Sequence, residues 1–450
     1  MRSASRKPTD FFCSRFTQMV KMALVMRSSL FLLLIALPLA DAFSQPAGGL
    51  TLSACYEQAR EAHPLSARGT WLLQANALQI EQIEASRKPT IQWKAAASIQ
   101  SEVVDLPFQA PGIEPINLPL YRAQSTVEAN YLLYDGGLTD ARQAMESSAL
   151  LTRQQEVEVS LEQLKAQINQ AYFGILQLRA QREILLATHT DLQNKLGTVQ
   201  AGVRHGAVLE TEADKLEVEI YRLDMRQEET EGQLKGLVAV LGALIGEELS
   251  PEVVLILPES DEGLPLEEEV LRPELRLFDL QKQEIQSRQA LVDASRRPKV
   301  AAFAQAGLGY PNPLNFFDES LSPFGVAGVN FTWDIVDWKK AERDRELISV
   351  QQALVDNQRE VFLKNLSVQD GRYREELASL DQLIERDRQV MELQEKILAQ
   401  TSAQLDHGVI TASEYLTQVN ALLQSRLQLE AHRIRREQVK VDFLTHKGLL

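Results

Sequence analysis

Cysteine is nearly absent from this chain of 450 residues, with Cys13 and Cys55 the whole supply. Cys13 lies in a stretch that reads as a removable leader, so no internal disulfide is left and stability has to come from packing. Also missing after residue 45 is any run approaching the ~18 apolar residues of a membrane-spanning helix. Positive charge is short, with 47 Lys and Arg against 62 Asp and Glu and a formal net charge of −15. An acidic surface repels phosphates, which disfavours nucleic acid as a partner. No Gly-x-Ser-x-Gly elbow, phosphate loop, Cys pair or His-Glu-x-x-His motif occurs, so catalysis, cofactor and metal all lack a candidate residue set.

What is present begins with the leader. Lys21 and Arg27 precede an apolar segment from Leu30 to Ala40, and Ala40-Asp41-Ala42 supplies an Ala-x-Ala cleavage pattern. Residues 1–42 are therefore expected to be a secretory signal peptide, with Met19, Met22 and Met26 as alternative starts. Lipid attachment at Cys55 is disfavoured because Leu52-Ser53-Ala54-Cys55 lies well beyond the apolar run, and Cys55 is expected as a small buried residue on a helix.

The rest of the chain repeats itself. Ala85-Ser86-Arg87-Lys88-Pro89 recurs as Ala294-Ser295-Arg296-Arg297-Pro298, an offset of 209 (85 to 294). Tyr131 to Asp135 parallels Trp333 to Asp337, and His205-Gly206 parallels His407-Gly408, both at an offset of 202 (205 to 407). The change in offset falls in a Pro-rich stretch, as a difference in loop length would. Two halves, 43–262 and 263–450, follow from this. Strands are expected at 89–104 and 122–135 in the first and at 299–310 and 324–336 in the second. Ile91, Trp93, Ala95, Ala97 and Ile99 alternate with polar or small residues, as do Val127, Ala129, Tyr131 and Leu133, and Val329, Phe331, Trp333 and Ile335. Residues 299–310 alternate poorly. Such period-two runs with terminal aromatics fit transmembrane strands, or half-buried strands of a soluble sandwich. Four strands leave two open edges that lipid does not tolerate, so a membrane reading requires several chains to pool strands. Three copies would supply twelve. The loop 105–121, with Pro107, Pro111, Pro115 and Pro119, would then be extracellular.

The helical periodicity is stronger. Leu150, Val157, Leu164, Ala171, Leu178, Leu185, Leu192 and Val199 recur every seventh residue, with Leu161, Ile168, Ile175 and Leu196 as a second seam, which is coiled-coil spacing. Leu347, Leu354, Val361 and Val368 keep the same step, and it resumes after a phase shift at Leu377, Ile384, Met391 and Leu398. Helical hairpins are thus expected at 138–246 and 339–446, each turning at a His-Gly pair. His205 and His407 are read there as helix-end cations. Shorter helices at 51–86 and 272–295 complete each half, and His189 falls on a seam as a polar packing residue.

Several fragments, in this order and spacing, resemble the TolC-like outer-membrane efflux protein family across the whole mature chain. They are Leu50-Thr51-Leu52 with Ala54, Ala59 and His63-Pro64, then Tyr134-Asp135-Gly136-Gly137, then Arg272-Pro273-Glu274-Leu275. The resemblance implies a mainly α chain with membrane β structure, forming a homotrimer with a 12-stranded β-barrel continued by a 12-helix α-barrel, and a mid-height belt at 247–271. It implies an exit duct in the outer membrane of a Gram-negative cell. Such a duct serves a tripartite efflux or type I secretion system, passively conducting substrate received from a periplasmic adaptor and an inner-membrane transporter, with no covalent chemistry. The adaptor-docking tip would be Arg204, His205, Gly206, Ala207 and Val208, with His407, Gly408, Val409 and Ile410. Glu414 matches the first acidic ring of the family's tunnel constriction, while Thr417 replaces the second carboxylate and Ile410 replaces the tip arginine. The competing readings are a periplasmic adaptor, which normally has one hairpin, and a structural coiled-coil protein of the envelope.

Overall fold

The computed structural model of the chain describes residues 49–103, 119–258, 270–315 and 318–450. The expected signal peptide, most of loop 105–121 and part of the belt fall outside them. The chain opens with α1 (Leu52–Ala62) and α2 (Pro64–Ala85). One helix was expected here, and Pro64 is why there are two. It has no amide N–H to donate and starts the second helix, while His63 takes extended backbone and its Nδ1 accepts from Leu65 N at 3.2 Å. Cys55 is fully buried on α1, as expected.

Next come β1 (Thr90–Ile99), β2 (Tyr121–Tyr134), α3 (Leu138–Arg204) and α4 (Glu210–Ile245). The second half repeats the order as α5 (Pro273–Ser295), β3 (Lys299–Tyr310), β4 (Ser322–Thr332), α6 (Lys340–Asp406) and α7 (Ala412–Lys447). The two long helices have 67 residues each, about 100 Å at ~1.5 Å per residue.

The four strands form one antiparallel sheet in the order β1-β2-β3-β4. Its register aligns Trp93 with Val127, Ala306 and Gly325, and Tyr131 with Ala302 and Val329, so one face is apolar from edge to edge. On the other face Gln92, Glu128, Gln305 and Val326 align, and Lys94 reaches across to pair with Glu128. β3 pairs along nearly its whole length despite its weak alternation, because alanine serves on both faces. At Gly307 a Cβ would lie 2.2 Å from Ser125 O, so only glycine permits the approach. β1 is exposed on both faces, so neither side of it covers a core. β4 stops at Thr332, short of the expected 336. Trp333 leaves the ladder and its Nε1 donates to Arg296 O at 3.1 Å. β1 likewise ends at Ile99 rather than 104.

Among the helices, α3 is flanked by α2 and α4 on one side and by α5 and α7 on the other, and α6 packs on α5 and α7. The wall therefore has four columns: α2 with α4, α3, α5 with α7, then α6. The α3 seam is where expected, with Val157, Leu164, Ala171, Leu185, Leu192 and Val199 buried. One core gathers Cys55, Tyr172, Ile175 and Leu241 at mid-height, where the Tyr172 hydroxyl meets the carbonyls of Leu50 and Ile256 and the belt residue Leu255 bridges Leu50. A second core, around Leu192, Leu216 and Leu423, lies toward the hairpin turns. The upper α6 seam does not pack: Leu347, Leu354, Val361 and Val368 are all more than half exposed, while Ile348 and Val355 beside them are buried. Below the phase shift α6 is joined to α7 by a ladder of polar contacts: the ion pairs Arg435 with Glu376, Arg436 with Asp381 and Arg426 with Glu395, and a hydrogen bond between His432 and Asp387.

At the strand-to-helix junctions Asp135 and Asp337 play the same part. Asp135 accepts from Gly137 N at 2.9 Å and from the backbone N and hydroxyl of Thr139, opening α3. Asp337 accepts from Lys339 N and Ala341 N, opening α6. The backbone is left-handed in both turns. The first half uses Gly136 and Gly137 there, and the second uses Trp338 at φ 50° and Lys339 at φ 64°, a conformation that costs roughly 1–2 kcal/mol for each non-glycine residue. Burial raises the Asp135 pKa, and the Thr139 and Gly137 donors with Arg87 nearby more than offset it, holding the carboxyl at about 2. A depressed carboxyl stabilises the fold above its ordinary value of 3.8, and that contribution is lost as pH falls toward 2. Asp135→Asn is expected to lower stability by about 1–2 kcal/mol at neutral pH, through loss of the carboxylate charge, and to flatten the acid limb of the stability profile over that window. Chemical denaturation of both proteins from pH 5 to 2 checks this, and parallel curves would contradict it.

Candidate functional site at the hairpin tips

Both hairpins reverse through the same motif. At the end of α3, Gly206 has φ +71° and Ala207 N donates to Gly202 O at 2.9 Å; at the end of α6, Gly408 has φ +68° and Val409 N donates to Gln404 O at 2.9 Å. These are Schellman C-caps, which use a left-handed residue to satisfy the last carbonyls. A Cβ at either glycine would meet nothing within 4 Å, so glycine is required by its dihedral angle and not by crowding.

The structure brings the expected docking residues to the two turns. Arg204, His205, Gly206 and Ala207 are exposed in one, and His407, Gly408 and Val409 in the other. Val208 and Ile410 turn inward, half-buried against the lower core. Val208 needs Gly202, since a Cβ there would lie 2.8 Å from Val208 Cγ2. His205 and His407 are the C-cap residues of α3 and α6. His189 is paired with Asp224 at 3.0 Å, which makes it a packing residue with a partner on α4.

Glu414 and Thr417 are both exposed on the first turns of α7. Glu414 is half of a capping box: its Oε2 accepts from Thr411 N at 2.9 Å while its own N–H donates to Thr411 Oγ1 at 3.3 Å. Thr417 Oγ1 donates to Ser413 O within its own helix.

The residues that tie one hairpin to the other are different ones. Position 209 corresponds to Thr411 in the repeat but holds Leu209, so α4 starts without a side-chain cap. Glu212, the counterpart of Glu414, caps the other hairpin instead: its Oε2 accepts from Ala412 N at 2.6 Å, and it pairs with Lys215 at 2.7 Å. The Lys215 hydrogen bond and the Ala412 amide together hold its pKa below the ordinary value despite burial. Lys195 on α3 donates to Asp406 Oδ1 at 2.8 Å and to Ser402 O at 3.2 Å, with its ammonium over the Tyr415 ring. Burial pushes the Tyr415 hydroxyl up to about 12. None of these residues stood out in the sequence. The signal was the mismatch between Thr411-x-x-Glu414 and Leu209-x-x-Glu212, a glutamate without a local cap partner.

No family model matches the sequence, and no curated protein matches it either. Solved structures do. The outer membrane protein VceC from Vibrio cholerae is 15% identical over 88% of this chain and 96% of its own, with a TM-score of 0.62. CusC, described for transmembrane channel formation, is 14% identical over 88% and 91% with a TM-score of 0.66. The MtrE outer membrane channel of Neisseria gonorrhoeae is 14% identical over 88% of each chain, with a TM-score of 0.62. The chain has the fold of these channels, as the TolC-like resemblance led one to expect.

Glu212→Gln is expected to cost about 1 kcal/mol, since it removes a charged acceptor from a helix terminus. Amide hydrogen exchange at 412–415 should quicken several-fold while that of the sheet stays unchanged. Uniform acceleration across the chain would mean that the side chain does not act locally.

Proposed function

We propose that three copies of this chain close head to tail into a channel in the outer membrane of a Gram-negative cell, with the helical hairpins extending into the periplasm. One observation carries this: the chain is unfinished along both sides at two levels. The sheet exposes both faces of β1 and leaves β1 and β4 as open edges. The helical wall has Trp71, Leu73 and Leu78 exposed on α2 and Val218, Tyr221 and Met225 on α4 at one side, and the free α6 seam at the other. β1 and α2 share one side and β4 and α6 share the other, so a single rotation completes both levels. A heterologous contact that closes makes a ring. Each chain supplies four strands and four helical columns, and three chains give the 12-stranded barrel and 12-helix tunnel. A soluble sandwich would bury one face of β1. A periplasmic adaptor accounts poorly for a second hairpin and strand pair, and an envelope scaffold has no use for an apolar sheet face.

In this reading the channel is the passive exit duct of a tripartite efflux or type I secretion system, and its exposed turns dock a periplasmic adaptor linked to an inner-membrane transporter. Gly408→Leu places a side chain in open space, at a local cost of roughly 1–2 kcal/mol for the left-handed backbone. Export should be lost while trimers still assemble, and undiminished export would remove the tips from docking. Glu414 would line the tunnel mouth as a ring of three carboxylates favouring cations. Glu414→Gln keeps the cap geometry and removes the charge, so single-channel recordings should show weaker block by divalent cations; unchanged block would leave Glu414 as a helix cap only. The channel reading itself is tested by fractionation and planar-bilayer recording of the purified protein. An integral outer-membrane trimer that conducts ions is the expected result, and a soluble or non-conducting protein rejects it.

A further inference from the structure

The sheet has one basic end. β1 starts just after Lys88, β3 starts at Lys299 after Arg296 and Arg297, and β4 is followed by Lys339 and Lys340; antiparallel pairing of Thr90 with Asn130, Val300 with Tyr134 and Lys299 with Thr332 brings these positions together. The carboxylates nearby are mostly spent. Asp135 and Asp337 cap helices, Asp337 also meets Arg296 at 3.5 Å, Asp140 meets Arg87, Glu342 meets Lys339 at 3.6 Å on the exposed surface, and Asp334 remains exposed. Lys88, Lys299 and Lys340 have no ion pair among the described residues. The segments 100–120 and 311–321, which follow β1 and β3 in the sequence, contain no lysine or arginine. In a chain with a net charge of −15, positive charge is concentrated at the end from which the helices leave.

Large apolar side chains lie in the same place. Trp333, Ile335, Val336 and Trp338 follow β4 outside any strand, all more than half exposed, with Trp338 at 83%. Trp338 and Lys339 hold left-handed backbone where the first half has Gly136 and Gly137. A strained conformation kept by two residues that glycine would suit better points to a use for their side chains.

We propose that this strap, residues 333–340, with the neighbouring basic residues, binds the anionic headgroups of glycerophospholipids in the periplasmic leaflet: the indoles lie at the interface and the lysines meet lipid phosphate. The proposal rests on the channel reading, since it takes the sheet to lie in the membrane.

The test uses the full-length trimer reconstituted in mixed phosphatidylcholine and phosphatidylglycerol vesicles, extracted in mild detergent, with retained phospholipid quantified by mass spectrometry. Retention should favour phosphatidylglycerol, and the preference should fall about five-fold for each lysine removed in Lys339→Gln and Lys340→Gln. Trp338→Gly suits the turn better than the native residue, so the protein should fold, yet quenching of tryptophan fluorescence by lipids brominated near the headgroup should drop. Equal retention of both lipids by the native trimer would overturn the proposal, as would a preference indifferent to the lysines. So would a Trp338→Gly protein that loses trimer and keeps its lipid preference, which would make the strap a subunit contact. Bilayer conductance of the native protein is recorded alongside: conduction without lipid preference rejects this inference alone, and absence of conduction rejects the channel reading beneath it.

Discussion

Unpaired backbone at the edge of a sheet is tolerable in water and ruinous in hydrocarbon, and the proposed channel architecture of this chain answers that constraint. Four strands cannot close on themselves. The chain places its open strand edges and its unpacked helical seams on the same two sides, so that in the proposed channel one contact with another copy would resolve both. The α6 helix carries this most plainly. Its upper half has two parallel apolar lines, Ile348 and Val355 against α5 and Leu347 and Leu354 facing outward. Below the phase shift its seam turns toward α7, with Leu377 buried.

Much of this was legible in residues alone. Sevenfold spacing located both long helices to within a residue or two, and the His-Gly pairs located their turns, because glycine in a left-handed cap has few substitutes. What escaped was whatever depended on side chains meeting across the two halves. Heptad spacing identified the Leu347 line but could not say that it faces no part of its own chain. β3 looked doubtful because alanine and glycine carry little polarity, although their small size is what lets β2 and β4 approach it. Trp333 and Ile335 continued an alternation that the backbone abandons, since the hydrogen bond of Trp333 to Arg296 and the cap of Asp337 take over there.

The candidate site divided in the same way. The turn residues were found, since each turn is a local motif. The links between hairpins were not, since Lys195 with Asp406 and Glu212 with Ala412 join residues some two hundred positions apart. The two halves differ at one of the places where they touch. Thr411 keeps Glu414 at home, whereas Leu209 frees Glu212 for the neighbouring helix, so the duplicated turn has become a pair of unlike partners.

The central ladder of the sheet, β2 with β3, has a further consequence in time rather than space. Leu132 pairs with Ala301 across the entire first hairpin and the belt, whereas β1 with β2, α3 with α4, and α6 with α7 join neighbours along the chain. Closing so long an intervening segment carries a loop entropy that its own collapse into a hairpin largely removes. In the proposed channel the broad apolar face of the sheet would thereby be completed only after the polar helical hairpins exist, which would limit how long it is exposed to water.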